Sequence, residues 1–232
     1  MCEFISDTKL FIDPTYRYSY LSKFIKFGKE DLTLVKEFGQ MVLNPLIPRL
    51  IEDIENKMSN YDVTRELWRG NVESIVDTDK VSNQKSENNE FIFKKEIQIM
   101  YLKKLFMIDQ ELSSNGSSSK DQVDPSVINY IKELDEFCQL HFECKQVPLV
   151  HLSAYFGVLS DLIMEEVFES QMAEALKKKT WMAINKLLWI QNDSFTKAHV
   201  DDAMRHLTSS SSSCCLVTGA VGTSCLSKNM NK

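Results

Sequence analysis

Apolar residues recur along most of this chain at intervals of three and four, the period of a helix with one buried face. Tyr16 to Lys26 reads as a short helix. Leu32, Val35, Phe38, Met41 and Val42 keep the same rhythm, behind Glu30 and Asp31, whose charges suit a helix N-terminus. Asn44-Pro45 predicts a turn or kink, because proline disfavours helix in the residue before it. Leu46, Ile47, Leu50, Ile51, Ile54 and Met58 form the next stripe, with Pro48 tolerated in the first turn. Phe93, Ile97, Met100, Tyr101, Leu105 and Ile108 predict a helix over 91–108. Asp124 reads as an N-cap and Pro125 as the first residue of a helix carrying Val127, Ile128, Ile131, Leu134, Phe137, Cys138 and His141. Val147-Pro148 opens a helix so apolar, from Leu149 through Val167, that it is predicted to be central. The last long helix, about 173–199, carries Leu176, Met182, Ile184, Leu187, Leu188, Ile190 and Phe195.

The polar stretches 70–90 and 113–121 predict loops. Three segments result: a lead-in over 1–15, a helical domain over 16–206, and a disordered Ser/Cys tail over 207–232. With 232 residues, 43% of them hydrophobic, the chain suffices for one domain with a real core. Seven glycines and five prolines are too few for a turn-rich β-sandwich or a glycine-rich phosphate-binding fold, which favours an all-α reading. A net charge of -6 argues against a nucleic-acid surface. No apolar run of about 18 residues could span a bilayer, and Asp7, Lys9 and Asp13 interrupt any leader-like run. A cytoplasmic protein with free thiols is the expectation.

Candidate chemistry is sparse. No phosphate loop, nucleophile elbow or HExxH pattern occurs, so no enzymatic activity is expected. His141 closes an apolar helix just before a polar turn. A heme iron needs one neutral imidazole held beside a dry slot, although on spacing alone a single histidine here is more often structural. Cys138, His141 and Cys144 tempt a zinc reading. On one helix, however, the two thiols would stand about 9 Å apart along the axis, too far for one zinc. His151 reads as a satisfied or surface histidine, and His199 and His206 as solvated residues near a helix C-terminus. Glu55, beside Ile54, is ambiguous between a polar face and a pocket.

Several stretches together resemble the protoglobin and globin-coupled-sensor branch of the globins. They are Tyr16 to Phe38, Asn44 to Trp68 (its B helix), Phe93 to Phe106 (its E helix), Tyr130 to Asp161 (its F and G helices) and Asn185 to Val200 (its H helix). NKLLWIQND and the spacing of His141 before VPLV are the more specific parts. The resemblance implies a globin-like helical sandwich with an extra N-terminal helix and heme b ligated by His141. It also implies a diatomic gas, oxygen, carbon monoxide or nitric oxide, on the opposite face, in a sensor or carrier. Ile54, Glu55, Phe93, Ile97, Tyr101, Phe137 and Val150 are the expected cofactor-binding residues. Relatives carry a B-helix tyrosine that donates to bound oxygen; Glu55 stands there in this chain, and Tyr101 is the substitute donor. A carboxylate in a dry pocket must be protonated or paired. The family also suggests a homodimer through the G and H helices.

A heme-free globin-fold scaffold is the alternative, favoured by Glu55 and the long loops. Cys214 and Cys215, after a serine run, offer a weaker prospect of S-palmitoylation against an unmodified tail.

Overall fold

Local signals start and stop the helices. In the computed structural model, residues 4–69, 95–107, 123–144 and 148–214 are described, without the side chains of 66–69, 139–144 and 206–214. The helices are α1 (Asp7–Ile12), α2 (Pro14–Ile25), α3 (Lys29–Phe38), α4 (Ile47–Met58) and α5 (Asp62–Arg69). They continue with α6 (residues 95–105), α7 (Pro125–Cys144), α8 (Leu149–Glu169) and α9 (Glu174–Cys214). No strand occurs among the described residues. Asp13 caps α2 by accepting from the Tyr16 N–H at 3.1 Å, with Pro14 in the first turn. Asp31 accepts from the Gly28 N–H at 2.9 Å at the start of α3. Asp124 does the same for α7 through the Ser126 N–H, also at 2.9 Å.

Ile47, Leu50, Ile51, Ile54 and Met58 are all buried, so the α4 stripe is as the sequence predicts. On α3, Leu32, Val35 and Phe38 are buried, but Met41 is exposed and Leu43 is buried instead. A π turn over Gly39–Leu43 explains the change, with the Asn44 N–H bonded to the Gly39 carbonyl. One extra residue per turn rotates Met41 out of the buried face. Asn44–Leu46 then forms a 3₁₀ turn at the expected kink. Close approach is what Gly39 permits: a Cβ there would stand 2.5 Å from the Phe106 carbonyl oxygen and 2.6 Å from its Cβ. Phe38 and Phe106 meet edge to face, with centroids 6.3 Å apart.

The long helix α9 packs against α8, α3, α7 and α2, and α4 packs on α8. Ala183, Ile184, Leu187, Leu188, Ile190 and Phe195 supply its buried face, while Leu176 and Met182 lie outside it. Met100 is likewise exposed, one residue and so about 100° away from the buried Tyr101 on α6. Two boundaries differ from the sequence reading. Asp7–Ile12 forms a helix within the expected lead-in, capped by Ser6 accepting from the Lys9 N–H. At the other end α9 continues to Cys214, past the helix end expected near 199, and no glycine or proline interrupts the serine run before Gly219. The predicted loops at 70–90 and 113–121 lie outside the described residues. Among the described residues no helix is long and apolar enough to cross a membrane.

Candidate functional site

Two contacts fix how α6 and α7 run past each other. The Tyr130 hydroxyl of α7 donates to the Leu105 carbonyl of α6. Tyr101 of α6 stacks on Phe137 of α7, centroids 5.7 Å apart and planes 23° apart. Stepping back along α6 from 105 to 101 corresponds to stepping forward along α7 from 130 to 137, so the helices are antiparallel. One further turn along each helix leads to Ile97 on α6 and to His141 on α7. The imidazole lies outside the described side chains; its backbone position on α7 is one turn beyond Phe137 and Cys138.

Aromatic rings close the inner end of this seam. Tyr101 also meets Phe195 of α9 edge to face at 6.3 Å, and Phe195 packs on Phe156 of α8 at 5.5 Å. Rings from α6, α7, α8 and α9 thus form one cluster. α4 reaches the same seam near its other end. Glu55 forms an ion pair with Lys95 of α6 at 3.7 Å, and Ile54 beside it is fully buried. That pairing meets the requirement placed on Glu55 by the sequence. Ile97 is half-buried, one turn before Tyr101.

Two expected roles change. Val150 is 68% exposed in the first turn of α8. The buried face of that helix is Leu152, Phe156, Leu159, Ile163 and Val167, and Val150 lies two residues, about 200°, around from Leu152. Phe156 is the residue that α8 brings to the ring cluster. Tyr101 keeps its place in the seam, but its hydroxyl donates to Gln191 Oε1 at 3.3 Å and is not free as a donor to a gas. Phe93 lies outside the described residues.

Gln191 is the residue the sequence reading missed. It sits at a core position of α9, four residues after Leu187 and four before Phe195, and a polar residue inside an apolar period was its signal. The Cys138 thiol also donates to Gln191 Oε1, at 3.3 Å. Burial, then the neighbouring Cys138, pushes Tyr101 well above the usual phenol range; burial, then Asp135, does the same for the Cys138 thiol. Cys138, His141 and Cys144 do share one helix, as the geometric objection to zinc requires. His199, expected to be solvated, is half-buried. Burial lowers its pKa, while Asp202 pulls the other way. The His206 side chain and Cys215 lie outside the described part, and Cys214 ends α9.

These residues fit a porphyrin in kind. α7 carries His141 one turn beyond Phe137, α6 carries Ile97 one turn before Tyr101, and Glu55 beside the buried Ile54 is paired with Lys95.

The globin domain of a globin-coupled sensor from Geobacter sulfurreducens is similar in structure at 14% identity and a TM-score of 0.49, covering 78% of this chain and 95% of that one. No curated protein matches. The Protoglobin family profile matches residues 15–205. The chain therefore belongs to the protoglobin family and has its all-α globin fold, preceded by an additional N-terminal helix.

Proposed function

We propose that the chain binds heme b through His141 and takes up a diatomic gas on the opposite face, as a sensor or carrier in the cytoplasm rather than as an enzyme. The observation that carries this reading is the antiparallel pairing of α6 and α7 at Tyr101 and Phe137, from which Ile97 and His141 each lie one turn further along their own helix. Heme, when bound, supplies the iron that takes the gas. The chain's own part is to hold one imidazole, seal the inner end with Tyr101, Phe137, Phe195 and Phe156, and keep water out. Apolar burial contributes roughly 25 cal/mol per Å² of the affinity. Ile54 and Ile97 offer an aliphatic gas side, with the Glu55–Lys95 pair beside them. The cofactor's orientation is set by the iron–imidazole bond.

Reconstitution with hemin tests the proposal. A Soret band, a ferrous spectrum shifted by carbon monoxide, and loss of both features in His141→Ala are expected. No band in the native chain, or a band unchanged by His141→Ala, leaves the heme-free scaffold as the better reading.

The same reading includes a second copy of the chain across α8 and α9. Its support is an exposed apolar stripe on α9: Met182, Trp189, Val200 and Met204 follow one another at spacings of seven, eleven and four residues, within about 60° of the helix.

A further inference from the structure

One amide oxygen serves both helices of the seam. Gln191 Oε1 accepts from the Tyr101 hydroxyl of α6 and from the Cys138 thiol of α7, each at 3.3 Å, the former long for an O–H bond. Gln191 is 0% exposed, and its Nε2 has no hydrogen-bond partner among the described residues. A buried, unpaired N–H is costly. A leucine or methionine would suit the stripe of Leu187, Leu188 and Phe195 without that cost. What glutamine adds at this position is the joint between α6 and α7. Cys138 precedes His141 by three residues and Tyr101 follows Ile97 by four, so each donor is one turn from the residue at the seam.

We propose that Gln191 is a positioning residue: it ties the helix of Ile97 to the helix of His141 and so sets the spacing and rotation of the two walls. This rests on the heme reading above, with α9 as the fixed frame. A displacement of α7 at His141 reaches the Cys138 thiol within one turn. Because the acceptor is shared, it also alters the bond to Tyr101. Gln191 belongs to the NKLLWIQND segment, and the joint gives that segment a physical role.

Two measurements on the full chain test the proposal. The first needs no heme. Tyr101→Phe, Cys138→Ala and their combination are compared by denaturant unfolding in the native background and in Gln191→Met, which keeps the volume and removes the acceptor. Losing one donor leaves the oxygen satisfied by the other, whereas losing both leaves it bare. The combined loss is therefore expected to exceed the sum of the single losses in the native background and to equal it in Gln191→Met. If Gln191→Met does not fold, the native-background comparison alone decides.

The second measurement uses the ferrous heme-loaded protein. Gln191→Met, or Cys138→Ala in its place, should keep the Soret band yet shift the iron–histidine stretching band. The carbon monoxide dissociation rate should change about two- to tenfold, the worth of one ordinary net hydrogen bond. Additive losses in the native background, or an unmoved band, overturn the proposal. Failure of the native chain to take up heme defeats the heme reading and the heme-dependent role; the first measurement still decides whether Gln191 joins the two helices.

Discussion

Arg17 of α2 grips Asp193 of α9 with both prongs of its guanidinium, Nε to Oδ2 at 2.7 Å and Nη2 to Oδ1 at 2.6 Å. Its Nη1 donates as well to the Leu10 carbonyl of α1 at 3.2 Å, so one side chain fastens both N-terminal helices to the long helix. The next residue, Tyr18, is fully buried; its hydroxyl lies against Asp135 of α7 and Ser194 of α9, and burial, then Asp135, holds its proton on. α2 thereby braces α7, the helix that carries His141.

Removing the guanidinium should loosen that brace. Arg17→Ala leaves Asp193 without its partner, and the pair is partly shielded from water. A loss of about 2 kcal/mol is expected from hydrogen bonds to charged groups, discounted for partial exposure. In a chain of this size that corresponds to a melting temperature lower by roughly 4–8 °C. Hydrogen exchange should rise first in α1 and α2. Unchanged melting together with unchanged exchange there would show that the pair is ornamental.

Gly39 sets a harder constraint. In Gly39→Ala the new methyl group meets the Phe106 carbonyl oxygen, which is backbone and cannot rotate away. Overpacking of this kind costs about 1–3 kcal/mol. The test is a denaturant midpoint with and without Phe106→Ala. Trimming the ring leaves the carbonyl in place, so no rescue is expected. Recovery of the midpoint in the double variant would locate the clash in the side chain instead.

The cap of α7 should be visible as a pH effect. Asp124 Oδ1 accepts from the Ser126 hydroxyl at 2.6 Å and its N–H at 2.9 Å, which holds the carboxyl below its ordinary range. A carboxyl with a lowered folded-state pKa stabilises above the unfolded value, about 3.9, and loses that contribution as the pH falls through the folded value. Asp124→Ala should therefore cost about 1 kcal/mol at neutral pH, with the gap to the native chain narrowing below about pH 4. Asp124→Asn keeps an acceptor and should show a flatter pH dependence. A gap that stays constant down to pH 2 would mean that the carboxylate is not the cap.

The parts legible in the sequence are those set by neighbours along the chain. The α4 stripe and the Asp124 cap follow from period and local hydrogen bonding, which is why both are found where expected. Met41 was misplaced because a π turn adds a residue without any marker in the hydrophobic rhythm. Val150 stands outside the buried face of α8, because apolar character alone does not tell which side of that helix faces inward. The register of α6 on α7 depends on contacts such as Tyr101 with Phe137, between residues far apart in the chain, and no local pattern encodes it. For His141, spacing alone left a structural histidine the better reading, and the family resemblance singled it out. Gln191 was visible as an interruption, but its two partners lie on other helices.

The stripe on α9 supplies the last prediction. Trp189 is 63% exposed, with Met182 at 50%, Val200 at 44% and Met204 at 56%. α8 adds Met164 and Phe168 among its exposed apolar residues. A lone exposed aromatic is ordinary, whereas a row on a helix face resembles one side of a packed helix pair. Buried at the centre of a two-fold interface, a tryptophan typically carries at least 2 kcal/mol of the association energy. Trp189→Glu would also place a charge opposite its own copy, because a two-fold contact brings the same patch together. The variant should dissociate at concentrations at least roughly thirtyfold higher than the native chain, with the circular dichroism of the fold unchanged. Sedimentation over a concentration series reads this directly. A native chain that sediments as a monomer throughout, or a Trp189→Glu chain with the native dissociation constant, would remove α8 and α9 as the contact between copies.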